Sequence, residues 1–466
     1  MRTWLPIGAV AGTLLGGGVA VAQPAVAGPE APRISVPYSL YRLDNGLTVI
    51  LHEDNTTPTV SVNVWYHVGS GREKPGRTGF AHLFEHIMFE GSEHVPEGQF
   101  DRWLEASGGD NNGSTNNDRT NYWENIPSNA LELALFLESD RMGYLLGSMS
   151  PQKVDGQRDV VKNERRQSYE NRPYGMAFIR MYETLYPDSH PYHWPTIGYM
   201  EDLSAAGYED VVEFFRAYYG PNNASLSIAG DIDPERTLDL VEKWFGGIPA
   251  GPQVPPIDPP PVWIDAVREV MLEDQVQLPR VYVCWITPGE YQPGDAELDV
   301  AADILAGGKN SRLYKRLVYD LQIAQDVYAG QFSNALTSEF CIVSTARQGH
   351  GLDELEAVIE EELERLEAEP PNPREIDRAV NQVEAAFLDR LEQVGGFGGK
   401  ADALNGYYFA TGNPDYFNED LARYRALEPE DVRAAVRTWL REDGRAFVRV
   451  IPAEAPPAEP APEVSR

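Results

Sequence analysis

His82, Glu85 and His86 stand at i, i+3 and i+4 in the run His82-Leu83-Phe84-Glu85-His86. On a helix this spacing puts two imidazoles and a carboxylate on one side. Phe89, at i+7, continues that face, while Phe80, Leu83, Phe84, Ile87 and Met88 fall opposite and suit a core. Two histidines one turn apart can bind one metal ion, and the neighbouring glutamate can take a proton from water activated there. The run is the inverted form of the H-E-x-x-H zinc-protease helix. A zinc site also needs a third protein ligand. A helix over about 151–168 offers one: its inner stripe is Val154, Gln157, Val161, Glu164 and Ser168, at steps of three and four. Glu164 takes a slot where an apolar residue is expected, and a carboxylate there needs a partner. Arg158 and Arg165 are nearby alternatives to a cation held by His82 and His86. Gln157, one heptad earlier, is placed to hydrogen-bond the ligands.

The elements that must hold these residues read as α+β. Strands over 39–43 and 47–53 flank Asp44-Asn45-Gly46, a hairpin signal. Residues 59–68 alternate Val60, Val62, Val64 and Tyr66 against Ser61, Asn63, Trp65 and His67. The motif helix spans about 78–89, and a second helix over 98–106 stops at Gly108-Gly109. Ser128 is expected to cap a longer helix with Leu131, Ala134, Leu135 and Met142 inward. Pro249, Pro252, Pro255, Pro256, Pro259, Pro260 and Pro261 exclude helix and central strand, so 249–262 reads as a linker. On either side of it, Glu209-Asp210-Val211 and Glu430-Asp431-Val432 each open an amphipathic helix that leads to a strand, at 224–228 and 446–451. The expectation is two homologous domains, 36–248 and 263–451, each a mixed β-sheet with helices packed on it, then a disordered tail over 452–466.

The 466 residues exceed one ordinary core, and 42% hydrophobic with 10% aromatic composition is that of folded protein. Residues 1–27 read as a signal peptide: Arg2, an apolar small-residue run, and cleavage signals at Ala20-Val21-Ala22 and Ala25-Val26-Ala27, so cleavage after 22 or after 27 stays open. A periplasmic or secreted bacterial protein follows, without a transmembrane span in the mature chain. The net charge of −33 argues against nucleic acid as a partner. The only cysteines, Cys284 and Cys341, cannot make a thiolate zinc site, and whether they bond is open.

Gly79-Phe80-Ala81-His82-Leu83-Phe84-Glu85-His86-Ile87-Met88-Phe89-Glu90-Gly91, followed by Asp159-Val160-Val161-Lys162-Asn163-Glu164-Arg165-Arg166, resembles the pitrilysin/insulinase family of zinc peptidases, in its mitochondrial processing peptidase-like bacterial branch. The likeness runs over about 36–451 and implies a clamshell half with one zinc ion (Zn2+) per chain, His82, His86 and Glu164 as ligands, and Glu85 as catalytic base. It implies that Asn112-Gly113-Ser114-Thr115 is an edge strand on which peptide substrates pair, and many members carry glutamate where this chain has Gln157. Ser311-Arg312-Leu313-Tyr314-Lys315-Arg316-Leu317 resembles the helix leading to the family's substrate-binding Arg/Tyr pair, but Val318 and Gln325 occupy those two positions. A zinc endopeptidase for peptides or unfolded segments in an enclosed chamber is therefore expected as the zinc-bearing subunit of a heterodimer, its partner a homologous subunit that lacks the zinc motif and carries the Arg/Tyr pair. A non-catalytic scaffold and a small-molecule metallohydrolase are the alternatives.

Gly395-Gly396-Phe397-Gly398-Gly399-Lys400 invites a phosphate-loop reading, which Val394 and Ala401 defeat, leaving a helix break or loop. The loop His190-Pro191-Tyr192-His193 reads as structural. His52, His67, His94 and His350 lack partner spacing.

Overall fold

The computed structural model describes residues 33–453, so the signal peptide and most of the expected tail lie outside the described residues. Among the described residues, those from Val36 to Ala453 form one compact unit. The strands are β1 (Ser39–Arg42), β2 (Thr48–Glu53), β3 (Thr59–Tyr66), β4 (Asp110–Thr115), β5 (Thr120–Pro127), β6 (Ala224–Gly230), β7 (Arg268–Asp274), β8 (Arg280–Thr287), β9 (Ala324–Phe332), β10 (Ser338–Ala346) and β11 (Ala446–Pro452). They make two sheets, ordered β1-β2-β6-β3-β5-β4 and β7-β11-β8-β10-β9. Set β1 aside and the orders superimpose, down to the one parallel pair in each, β2 with β6 and β7 with β11. The helices Tyr208–Tyr218 and Pro429–Trp439 precede the two matching strands β6 and β11, as the repeat implied. β11 runs one residue further than expected, because Pro452 still pairs with Asp274.

Each sheet buries one face under its own helices. In the first, Val60, Val62 and Val64 share a core with Leu83, Phe84 and Leu135. In the second, Val281, Val283 and Phe340 pack with Leu355 and Val436. The other faces are covered crosswise. Helix Lys400–Thr411, from the second half, lies on β2, β3 and β6. Its Asn405 Nδ2 donates to Asn63 O at 2.9 Å, and Asp402 Oδ1 accepts from Trp65 Nε1 at 2.8 Å and Asn121 Nδ2 at 2.9 Å. Helix Ala177–Leu185, from the first half, lies on β7, β8 and β11. There Ala177, Met181 and Leu185 join Tyr282, Cys284, Ala446 and Val448 in a third cluster. Residues 249–262 are neither helix nor strand, yet the packing crosses from one side of them to the other.

Ser128 does not cap the following helix, Leu131–Ser148. It opens a 3-10 turn, and its hydroxyl donates to Asp231 at 2.8 Å instead. The open question about the cysteines is settled: Cys284 and Cys341 are bonded, joining β8 to β10 at register-paired positions.

Glu339 on β10 is buried and accepts from the Tyr186 hydroxyl and, at 3.2 Å, from Asn334 Nδ2. Burial pushes its carboxyl up to about 8. The folded state therefore holds a proton that the unfolded chain releases near pH 4.3, roughly the ordinary glutamate value. Its stabilising contribution is complete below that value and is lost as pH rises through about 8. Denaturant midpoints of wild type and Glu339→Gln should diverge as pH rises from about 5 to about 9, with wild type falling faster. Parallel curves would contradict this account.

Candidate active site

The motif helix spans Phe80–Ile87 and begins after Gly79, whose φ of 84° places it in the left-handed region. No side chain of the helix caps it. The carboxylate of Glu73 does so from outside, accepting from Gly79 N–H at 2.9 Å and Ala81 N–H at 2.8 Å, the orphan donors of a first turn. Nothing in the sequence marked Glu73 for this. Phe80, Leu83, Phe84, Ile87 and Met88 are at most 3% exposed, so the apolar face is the core face. Phe89 departs from its expected place. The helix has ended by then, and its ring turns inward against Phe100 and Tyr122, each at 5.7 Å.

Helix Pro151–Arg165, capped by Ser150, packs against the motif helix through buried Val154 and Val161, then runs into a π-helical turn over Arg166–Glu170. Glu164 Oε2 lies 3.2 Å from His86 Nε2 and 3.6 Å from His82 Nε2. One ligand atom from each of the three residues falls within 4.8 Å of the others. Arg158 and Arg165 are engaged elsewhere, with Asp155 and Glu170. The side chain of Glu164 is 39% exposed, so its slot opens on a cleft rather than the core. Gln157 does not reach the three residues: its amide donates to Glu90 Oε1 at 2.5 Å. One heptad is about 10 Å of helix rise, too far for direct contact.

Glu85, largely buried, accepts from the Thr115 hydroxyl at 2.6 Å. Burial raises its pKa and the Thr115 bond opposes that rise. Burial, with the His86 charge adding, lowers His82 to about 4, so its ring is neutral near pH 7 and offers a lone pair. The His86 hydrogen bond holds Glu164 below the usual carboxylate value. A neutral imidazole at His82 and an ionised carboxylate at Glu164 are donors of the kind zinc takes. With Zn–N of about 2.1 Å, tetrahedral ligands sit about 3.4 Å apart, close to the 3.2 and 3.6 Å that separate Glu164 from the two histidines.

Asn112, Gly113, Ser114 and Thr115 lie in β4, the free edge of the first sheet. Asn116 N–H donates to Arg119 O in the turn, and from that bond and the register the N–H and C=O of Asn111, Gly113 and Thr115 point away from β5. Accordingly Gly113 N–H is taken by the Asn112 side chain at 2.8 Å, not by the ladder. A Cβ on Gly113 would stand 3.2 Å from Glu85 Cγ, so glycine keeps the edge tight against the carboxylate. Beyond Thr115, Asp118, Arg119, Glu290, Asp295, Asp402 and Asp420 line part of a cavity of about 380 Å³.

The remaining candidates are elsewhere. Val318 packs on the second core and Gln325 is exposed on β9. His190 is buried and stacks on Tyr186 at 4.6 Å, a structural position. His94 and His350 do have partners: Asp140 at 2.6 Å and Glu354 at 3.0 Å.

Residues 48–190 match the profile of insulinase, peptidase family M16, and residues 205–383, which start before the proline-rich stretch and run into the second half, match the peptidase M16 inactive domain. Zinc protease PqqE of Helicobacter pylori is 30% identical over 354 residues, 75% of this chain and 79% of that one. The chain belongs to peptidase family M16. A protease from Helicobacter pylori, solved by crystallography, superimposes with a TM-score of 0.82 at 26% identity, covering 90% of this chain and all of that one. The periplasmic protease PqqL from Escherichia coli shares the fold, with a TM-score of 0.74 at 17% identity, but this chain spans only 48% of it. The two related sheets are thus an M16 clamshell half, of a kind with proteins named zinc proteases.

Proposed function

We propose that this M16 chain is a zinc-dependent endopeptidase for extended peptides and unfolded segments. The observation that carries the reading is the meeting of His82, His86 and Glu164 from two separate helices, beside a glutamate held by a free edge strand. His82, His86 and Glu164 would hold one zinc ion. When bound, zinc supplies Lewis acidity, polarising a carbonyl and acidifying water. Glu85 takes the proton of the attacking water and delivers it to the leaving amine nitrogen. The outward-pointing N–H and C=O groups of β4 align the peptide as an added strand, which takes the place of the Asn112 side chain on Gly113 N–H.

Neither Val318 nor Gln325 offers the cation or phenol that the family's Arg/Tyr pair supplies. A homologous partner subunit carrying that pair, closing the chamber over this half, accounts for both the substitutions and the half-length match to PqqL. The N-terminal segment, read as a signal peptide cleaved after 22 or 27, directs export to the periplasm or beyond; among the described residues no helix is long and apolar enough to cross a membrane.

Metal-stripped protein should take up one zinc per chain in a calorimetric titration, and Glu164→Gln or His86→Asn should weaken uptake at least about tenfold. Chelation should abolish peptidase activity and zinc should restore it. Equal uptake by wild type and both variants would remove the assignment. Thr115→Val deletes the bond that restrains the rise of Glu85. The acid limb of kcat/KM should then move to higher pH, with the plateau rate preserved.

A further inference from the structure

The glycine run at 395–399 is built into the first sheet. A Cβ on Gly395 would come within 2.0 Å of Asn125 Oδ1 and 2.2 Å of Ser61 Oγ, so the loop lies directly on β3 and β5. Gly396 and Gly398 have φ of 79° and 80°, and Gly398 N–H donates to Asp402 at 2.8 Å. Lys400 N–H and Ala401 N–H close the base on Gln393 and Val394. This fixed backbone carries one large side chain, Phe397. It stands edge-on to Trp123 with ring centroids 5.5 Å apart, and is nonetheless 48% exposed.

Its position relates it to the edge strand. Trp123 is the register partner of Asn112 on β4, so the two side chains share a sheet face. That face is opposite to the one on which Gly113 and Thr115 meet Glu85. A peptide added to β4 alternates its side chains between the two faces. The residue paired with Gly113 faces the metal ligands, and the residue beside it, opposite Asn112, faces Trp123 and Phe397. Asn112 is small, and two strand spacings amount to about 9.6 Å, which an aromatic side chain bridges.

We propose that Phe397, backed by Trp123, is a specificity-determining wall for an aromatic or large aliphatic substrate side chain that points away from the metal. This rests on the peptidase reading above, in which β4 receives the substrate strand. Zinc-loaded full-length protein is assayed against two unfolded peptides that differ only by Phe or Ala at that position. Wild type should favour the Phe peptide about tenfold in kcat/KM. Phe397→Ala should erase the preference through KM, while Phe397→Leu should keep part of it. Binding of both peptides to Glu85→Gln, with and without Phe397→Ala, is followed in parallel by fluorescence anisotropy. Discrimination in binding that Phe397→Ala abolishes supports the wall even if no peptide is cleaved, a result that would sink only the peptidase reading. Cleavage with an unchanged ratio in Phe397→Ala overturns the wall alone, as does the absence of discrimination in both assays.

Discussion

Glu85→Gln is expected to lower kcat for peptide hydrolysis by about 10²–10⁴-fold, the usual contribution of a positioned general base. The change keeps the shape of the side chain and an oxygen able to accept from Thr115. It touches none of His82, His86 and Glu164, so zinc content should stay at one per chain. The loss should fall on kcat rather than KM, because β4 is left intact. Rates on a fluorogenic unfolded peptide, alongside metal analysis of the same sample, check both halves of the statement. A variant that retains the biological role of the wild type would identify a scaffold subunit instead.

Arg141→Met should cost about 3–5 kcal/mol of stability, the penalty for stranding buried charge. Arg141 is 1% exposed and donates to Glu138 through Nε at 2.8 Å and to Glu124 through Nη2 at 3.0 Å. Its guanidinium lies 4.1 Å from the Tyr122 ring centroid, 4.6 Å from that of Phe100 and 5.3 Å from that of Phe89. It therefore ties β5 and helix Leu131–Ser148 to the end of the motif helix. Methionine fills much of the volume but leaves two carboxylates in one dry site without a cation. Burial already pushes the Glu124 carboxyl well above the usual range, so Glu124→Gln alone should cost little. Urea midpoints of the single variants and of Arg141→Met/Glu124→Gln/Glu138→Gln test the account, the triple variant recovering much of the loss. A deficit under about 1 kcal/mol for Arg141→Met would refute it.

Helical spacing alone was enough to place His82, Glu85 and His86 on one face, because 100° per residue acts at short range and needs no knowledge of the fold; Glu164 was singled out by its slot on a second helix, with Arg158 and Arg165 left open as partners, and only the fold brings it beside the histidines. The same rule misplaced Phe89, one residue beyond the helix's final cap, and overreached with Gln157, whose azimuth was right but whose axial distance was not. Arg141 was hidden for a different reason. Helix Leu131–Ser148 buries Glu138, Ser139, Asp140 and Arg141 alongside its leucines, so no polar stripe marks the buried charges. Glu73 and Asp402 act on helix and sheet groups distant in sequence or in another element, and local pattern carries no record of such partners. The repeat was legible through its strand-leading helices. The crosswise helices were not, since amphipathicity says that a helix has a partner and not which sheet it is.

That exchange of helices has a bearing on how the polypeptide is made. The final strand of the first sheet is finished at Gly230, whereas its outer cover arrives only with Lys400–Thr411. Until then the nascent sheet must stand bare in water. Ser61, Asn63, Asn121, Asn125, Ser225 and Ser227 make much of that waiting surface hydrophilic, which leaves Ile50, Trp65 and Trp123 as the apolar part that the late helix has to cover.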